Sequence, residues 1–247
     1  MSGHSKWASI KHKKGTTDAK RGKIFTKHAK LIEIAAREGG GSDASMNPRL
    51  ATAIENAKMD NVPNMNIDRA VKKGSGELKG EQTAAIMYEA YAPGGAACLI
   101  ECLTDNRNRT LSNVRSTIEK RGGKWAESGS VSFMFDLKGV VIAQGSINDE
   151  VELALIDAGA EDIDVSDNLI SVTTNAKQCG KVRDAFKELK FTVQEAGLKY
   201  VAKQEINIAD AESAKKLMDF IEAIEEYEDV SEVHTNANIS DEVAGKL

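Results

Sequence analysis

The chain has 247 residues, 41% of them hydrophobic and 29% charged, the balance of a folded globular protein rather than a disordered one. Its formal net charge is −5, no apolar run approaches the roughly 20 residues that a bilayer span needs, and three cysteines, an odd number, give no disulfide framework and suit a reducing cytoplasm. The length allows one large domain or two to three small ones.

The first 30 residues contrast with that acidic total. "GHSKWASIKHKKGTTDAKRGKIFTKHAK" is dense in lysine and holds three of the four histidines. It lacks the apolar core of a secretory signal, and it is Lys-rich and contains Asp18 where a mitochondrial presequence is Arg-rich and free of acids. A nuclear-import reading of "KHKKGTTDAKRGK" rests on composition alone. No targeting role is therefore expected. Residues 1–74 hold 15 Lys/Arg against 7 Asp/Glu, and the remainder holds 18 against 31. Such asymmetry points to a basic module for a polyanion carried by an acidic body, because lysine and arginine bind phosphates by displacing condensed counterions.

In chain order, "AKRGKIFTKHAKLIEIAAREGGG" reads as an amphipathic helix stopped by Gly39–Gly41. Ile24, His28, Leu31 and Ala35 form one stripe, with Phe25, Ile32 and Ala36 beside it, which makes His28 a packed residue. "NPRLATAIENAKM" begins with a capping Asn47 and Pro48 at the first helical position. "NIDRAVKKG" is a shorter helix ending at Gly74. Three helices with short connections make a small bundle. The Pro63-bearing connection is longer than a helix-turn-helix prefers. "SGELKGEQTA" is a polar linker.

The period then changes. "AIMYEAY" and "AACLIECL" are strands around "APGG", a hairpin. Cys98 and Cys102, four apart on a strand, face one side as buried small hydrophobes. "DNRNRTLSNVRSTIEKRGG" is a helix with Thr104 or Asp105 as its cap and Leu111, Val114 and Ile118 as its stripe. "GSVSFMF" reads as a strand. From Gly139 the order is strand, helix capped by Asn148 and stopped by Gly159, two strands, helix, strand: the βαββαβ of a ferredoxin-like unit. "AKQEINI", the helix in "DAESAKKLMDFIEAIEEYE" and the strand "VSEVHTN" have no core of their own and are expected to complete the unit left open at Phe135. The expected fold is α+β and multidomain: a basic N-terminal helical bundle over 1–76 and two ferredoxin-like α/β domains, one inserted in the other, the outer one discontinuous over 83–136 and 203–240 and the inserted βαββαβ one over 139–202.

No phosphate-binding loop, nucleophile elbow or zinc-protease motif is present. The acids crowd surface faces such as "EAIEEYED". No enzyme activity, cofactor or metal is expected; convergent carboxylates remain the alternative, testable by nuclease and phosphatase assays with Mg²⁺. The nucleic-acid contacts are expected from Lys6, Lys11, Lys13, Lys14, Lys20, Arg21, Lys23 and Lys27, with Trp7 and His12 among them. Trp7 reads as an anchor onto the bundle, with base stacking as its other role. Arg107 and Arg109 sit in the first turn of a helix, where the dipole disfavours cations. They read either as an anion or partner site or as ion pairs to acids on a neighbouring element.

"GHSKW", "DAKRGKIFTK", "NPRL", "YEAYAPGG", "ECLTDNRNRT" and "GSVSFMF" together resemble the YebC/PmpR family along the whole chain. The resemblance implies a helical N-terminal domain and two α/β domains, one inserted in the other. It also implies a cytoplasmic, DNA-binding transcriptional regulator. Alternatively, it implies a ribosome-associated translation factor that relieves stalling at proline-rich stretches, in line with a mitochondrial relative that activates translation.

Overall fold

The structure is a computed structural model that describes residues 18–39, 41–166 and 168–245. Helix α1 runs over Asp18–Glu38, α2 over Pro48–Met59 and α3 over Asn64–Gly74. Their shared core is Ile32, Ala35 and Ala36 of α1 with Leu50, Ala57, Ile67 and Ala70. The stripe of α1 thus meets the apolar faces of both shorter helices. His28 is buried, and its Nε2 meets Asp60 Oδ2 at 2.5 Å.

One buried residue joins two helix ends. Asn47 accepts from the backbone N–H of Leu50 at 3.0 Å, capping α2. Its amide donates to the carbonyls of Ala35 at 2.9 Å and Gly41 at 3.0 Å, closing the end of α1. Gly39 makes room for this: a Cβ there would lie 2.2 Å from Asn47 Oδ1.

Strands β1 (Ala84–Tyr91) and β2 (Ala97–Thr104) form the expected hairpin, its turn carrying Gly94 and Gly95 at positive φ. Helix α4 (Arg107–Lys120) follows, then a short β3 (Lys124–Ala126) that pairs with β1. The cap of α4 is Asn106, which accepts from Arg109 N–H at 3.0 Å; Thr104 Oγ1 in turn accepts from Asn106 N–H. The expectation of Thr104 or Asp105 as cap is corrected to Asn106.

"GSVSFMF" is not a strand. The backbone N–H groups of Gly129, Val131 and Ser132 donate to the buried carboxylate of Glu89 at 2.7, 2.6 and 3.1 Å. With their donors taken, these residues form a turn and a 3₁₀ helix over Ser132–Met134. The strand begins at Phe135 and continues unbroken to Gln144 as β4.

Helices α5 (Asp149–Asp157) and α6 (Cys179–Glu188) alternate with β5 (Ala160–Ser166), β6 (Leu169–Asn175) and β7 (Thr192–Ala202). The sheet order β5-β6-β4-β7, antiparallel at each pairing, is the split βαβ arrangement. Its core includes Val141, Leu155, Ile170, Val172, Val182 and Phe186.

The chain then returns through β8 (Ile206–Ile208), α7 (Ala211–Glu225), β9 (Val230–Thr235), β10 (Ala237–Ile239) and a last turn, α8 (Asp241–Ala244). β9 joins the first sheet, ordered β3-β1-β2-β9, and β10 pairs in parallel with β8. Two helices over four antiparallel strands repeat the layering of the inserted unit. The chain path differs, because β1 and β2 are hairpin neighbours. One core joins Cys98, Ile100, Val114 and Ile118 to Leu217 and Phe220 from beyond the insertion. Leu99, on the opposite face of β2, packs with Val131, Phe135 and Tyr200. Both faces of β2 are covered, which explains its near-continuous apolar run.

Candidate nucleic-acid interface

Lys6, Trp7, Lys11, His12, Lys13 and Lys14 lie outside the described residues. Lys20 and Arg21 fall in the first turn of α1. Lys23, Lys27 and Lys30 recur on one face of α1 at intervals of four and three. That face meets α7 and β9, the second half of the central unit built on the sheet β3-β1-β2-β9. Lys23 donates to the backbone carbonyls of Glu225 and Glu226, at the negative end of α7. Lys30 pairs with Asp229 at 3.0 Å and donates to the Glu228 carbonyl at 3.3 Å. Lys27 reaches Glu232 at 3.4 Å.

Glu232 is a meeting point of three parts of the chain. Its other oxygen pairs with Lys199 of β7 at 3.0 Å, and Lys199 also holds Glu195 at 2.7 Å. Burial opposes the charge on Lys27, but Glu232, Glu195 and Glu101 outweigh burial and the repulsion of Lys199, so its pKa is raised. Lys199 is raised in the same way, burial opposed by Glu232 and Glu195. Glu101, Glu232 and the buried His234 bring three ligand atoms within 4.8 Å. With two ammonium groups already on Glu232, this cluster is built as a salt-linked junction. Arg183 and Lys187 of α6 grip Glu55 of α2, which joins the bundle to the inserted unit directly.

The two arginines of α4 part company. Arg109 donates to Asp229 through Nε at 3.3 Å and Nη2 at 2.7 Å, and to Asp105 at 2.9 Å. Asp229 also accepts from Thr110 Oγ1 at 2.9 Å. Burial pushes Asp229 up; the hydrogen bonds from Arg109, Lys30 and Thr110 prevail, leaving its pKa lowered. Arg109 thus takes the ion-pair role. Arg107 is exposed and has no ion pair among the described residues; its carbonyl accepts from Tyr88 Oη at 3.4 Å.

Beside this junction a cleft of about 610 Å³ opens between α1, α3 and the linker that precedes β1. Phe25 and Ala29 of α1, Ala70 of α3 and Leu78 of the linker are its apolar lining. Lys30, Arg69, Lys73 and Lys79 bring cations to it, and Glu33 and Asp105 bring acids. Buried Glu33 holds the walls together. It accepts from Thr83 N–H at 2.8 Å and Thr83 Oγ1 at 2.9 Å, and pairs with Lys73 at 2.9 Å. Arg69 and Lys79 are exposed and have no ion pair among the described residues. Composition could not single out these two from other surface cations, since the cleft exists only once α3 and the linker fold over α1. The spacing of Lys23, Lys27 and Lys30 was visible in the sequence, but the acids they meet lie some 200 residues away.

A family model described as the TACO1/YebC protein N-terminal domain matches residues 5–77, and one described as the TACO1/YebC second and third domain matches residues 83–237. A protein of Halothermothrix orenii named "Probable transcriptional regulatory protein" is 44% identical over 251 residues, covering 100% of this chain and 99% of its own. One of the same name from Thermobifida fusca is 46% identical, with both chains covered in full. The crystal structure of a conserved hypothetical protein from Aquifex aeolicus superposes with a TM-score of 0.83 at 39% identity, covering 91% of this chain and 93% of that one. With its fold, its motifs and its full length matched, the chain belongs to the TACO1/YebC family.

Proposed function

We propose that this protein is a nucleic-acid-binding regulator of gene expression in the cytoplasm, acting without catalysis, with DNA and transcription as its first target. The observation that carries this reading is the basic excess of residues 1–74, 15 Lys/Arg against 7 Asp/Glu in a chain of net charge −5. Lys23, Lys27 and Lys30 are engaged at the junction, so the phosphate contacts fall to Lys6, Lys11, Lys13 and Lys14 before α1 and to Lys20 and Arg21 in its first turn. Relatives named as transcriptional regulators support the assignment to transcription.

The test is binding to a DNA duplex across a salt series. Changing Lys11, Lys13 and Lys14 together to Ala should weaken binding and flatten the log–log salt slope by up to about three, since each neutralised phosphate contributes about 0.9. An unchanged slope removes this segment from the interface.

A second reading, translation control on the ribosome, is favoured by one observation. The lysines of this α1 face are engaged by carbonyls and carboxylates of α7 and the segment after it, which leaves them unavailable to the edges of a DNA groove. RNA is recognised by shape and by unpaired bases. Crosslinking in cells followed by sequencing of bound DNA and RNA separates the two.

A further inference from the structure

We propose that the cleft between α1, α3 and the linker receives one unpaired nucleotide of a single-stranded nucleic acid, with its base inside and its phosphate at the rim. The proposal rests on the nucleic-acid reading above and names the form of nucleic acid that the site takes.

Size comes first. About 610 Å³ lies within the ~300–1,000 Å³ range of clefts that enclose small organic ligands. The chemistry of the walls is the second point. Four cations and two acids line the cleft, so it carries a positive surplus. Lys30 and Lys73 are held by Asp229 and Glu33, and Asp105 by Arg109. The charge left for a ligand belongs to Arg69 and Lys79, both exposed at the surface. Arginine suits a phosphate group because its donors form a planar fork.

The apolar part lies between these charges. Phe25, Ala29, Ala70 and Leu78 line the same space, and Leu78 is 41% exposed although it is large and apolar. Its position is fixed: its N–H donates to the carbonyl of Lys72 at 3.1 Å, which folds the linker back on the end of α3. The linker's far end is clamped as well. Thr83 is held at its N–H and hydroxyl by Glu33, and Arg37 donates to its carbonyl at 2.7 Å. The walls are thus set before a ligand arrives, which lowers the ordering cost of binding.

A ligand matched to this space has a flat apolar body and an attached anion. An extruded base with its phosphate is such a ligand. A duplex is not, since its base faces are stacked inside and only phosphates and groove edges are offered. Single-strand recognition combines these two elements, a basic track and apolar platforms.

The experiment uses the full chain and fluorescence anisotropy, with a 12-nucleotide RNA, the same sequence as single-stranded DNA, and the DNA duplex, each over a salt series. The variants are Arg69→Ala/Lys79→Ala and Leu78→Asp, all at exposed positions, so the core of the bundle is left intact. The single strands should bind more tightly than the duplex. The double variant should weaken single-strand binding and reduce its salt slope by about 0.7, the share of one phosphate. Leu78→Asp should weaken single-strand binding about tenfold and leave duplex binding unchanged. A difference between the RNA and DNA strands identifies whether the sugar is read. Equal binding of duplex and single strands, unaffected by either variant, overturns the cleft and leaves the regulatory reading standing. No binding of any of the three probes overturns both.

Discussion

Asn47 carries three hydrogen bonds in a buried site and joins the end of α1 to the start of α2. Asn47→Ala removes the cap of α2 and the two amide hydrogen bonds to the carbonyls of Gly41 and Ala35, the latter keeping the N–H of Gly39. The cap alone is worth about 0.5–2 kcal/mol, and each lost amide hydrogen bond adds about 0.5–1.5 kcal/mol. The expected loss is about 3 kcal/mol, read from the urea midpoint of the full chain. Asn47→Asp keeps the acceptor but turns a carboxylate oxygen toward the carbonyls of Ala35 and Gly41 in a buried site, so at neutral pH it should cost at least as much as Ala. The arginines of α4 give a second contrast. Arg109→Ala should lower Tm, because Asp229 loses its two-pronged partner. Arg107→Ala should leave Tm unchanged, and a matched fall in both would assign Arg107 a structural partner as well.

Among the elements, those whose partners are close in sequence could be read from it. Asn47, Pro48 and the glycines after α1 marked the bundle, and Asn148 and Gly159 marked α5, because caps and stops act within a few residues. Residues 129–135 could not be read. Val131, Phe133 and Phe135 alternate as in a strand, yet Phe133 is 63% exposed, since the N–H donors around it go to Glu89, 40 residues back. The three-residue β3 was too short to show a period. The cleft and the junction escaped for the same reason: their residues converge from α1, α3, the linker and β9. For β4, composition placed a boundary near Gly139 where the ladder to β7 runs on, from Phe135↔Ala202 to Gln144↔Thr192. We therefore expect a fragment of residues 135–202 to unfold cooperatively and give dispersed amide signals. A disordered spectrum would show that the unit depends on the central sheet.

For the whole molecule, the basic and acidic halves of the sequence are partly spent on one another. The sign of the pH response follows from two acids, buried Glu89 and half-buried Asp229. Burial pushes Glu89 up, and its backbone donors more than offset this, so its pKa is lowered; Asp229 is lowered by Arg109, Lys30 and Thr110 against the same opposition. A carboxyl depressed in the folded state binds fewer protons there than when unfolded. Its contribution is present above the ordinary carboxylate range and is lost as pH falls through the depressed value. Stability should therefore hold from neutrality down to about pH 5 and fall below about pH 4. Asp229→Asn should lower stability at pH 7 and flatten that acid limb. An acid limb as steep as that of wild type would remove Asp229 from the response. The raised Lys27 and Lys199 act at the other extreme, losing their contribution only as pH climbs past ordinary lysine values.

The split core of the central unit also has a consequence during synthesis. Ile118 and Ile208 belong to one cluster but lie roughly 90 residues apart in the chain. At about 5–20 residues per second, the first half of that core emerges some 5–20 s before its complement. During that interval Ile100, Val114 and Ile118 have no α7 to cover them, while every strand of the inserted sheet is made. The insertion thus completes its own ladder first and leaves the nascent β1–β2 hairpin in need of shelter, which makes this stretch of translation the window in which a chaperone has the most to hold.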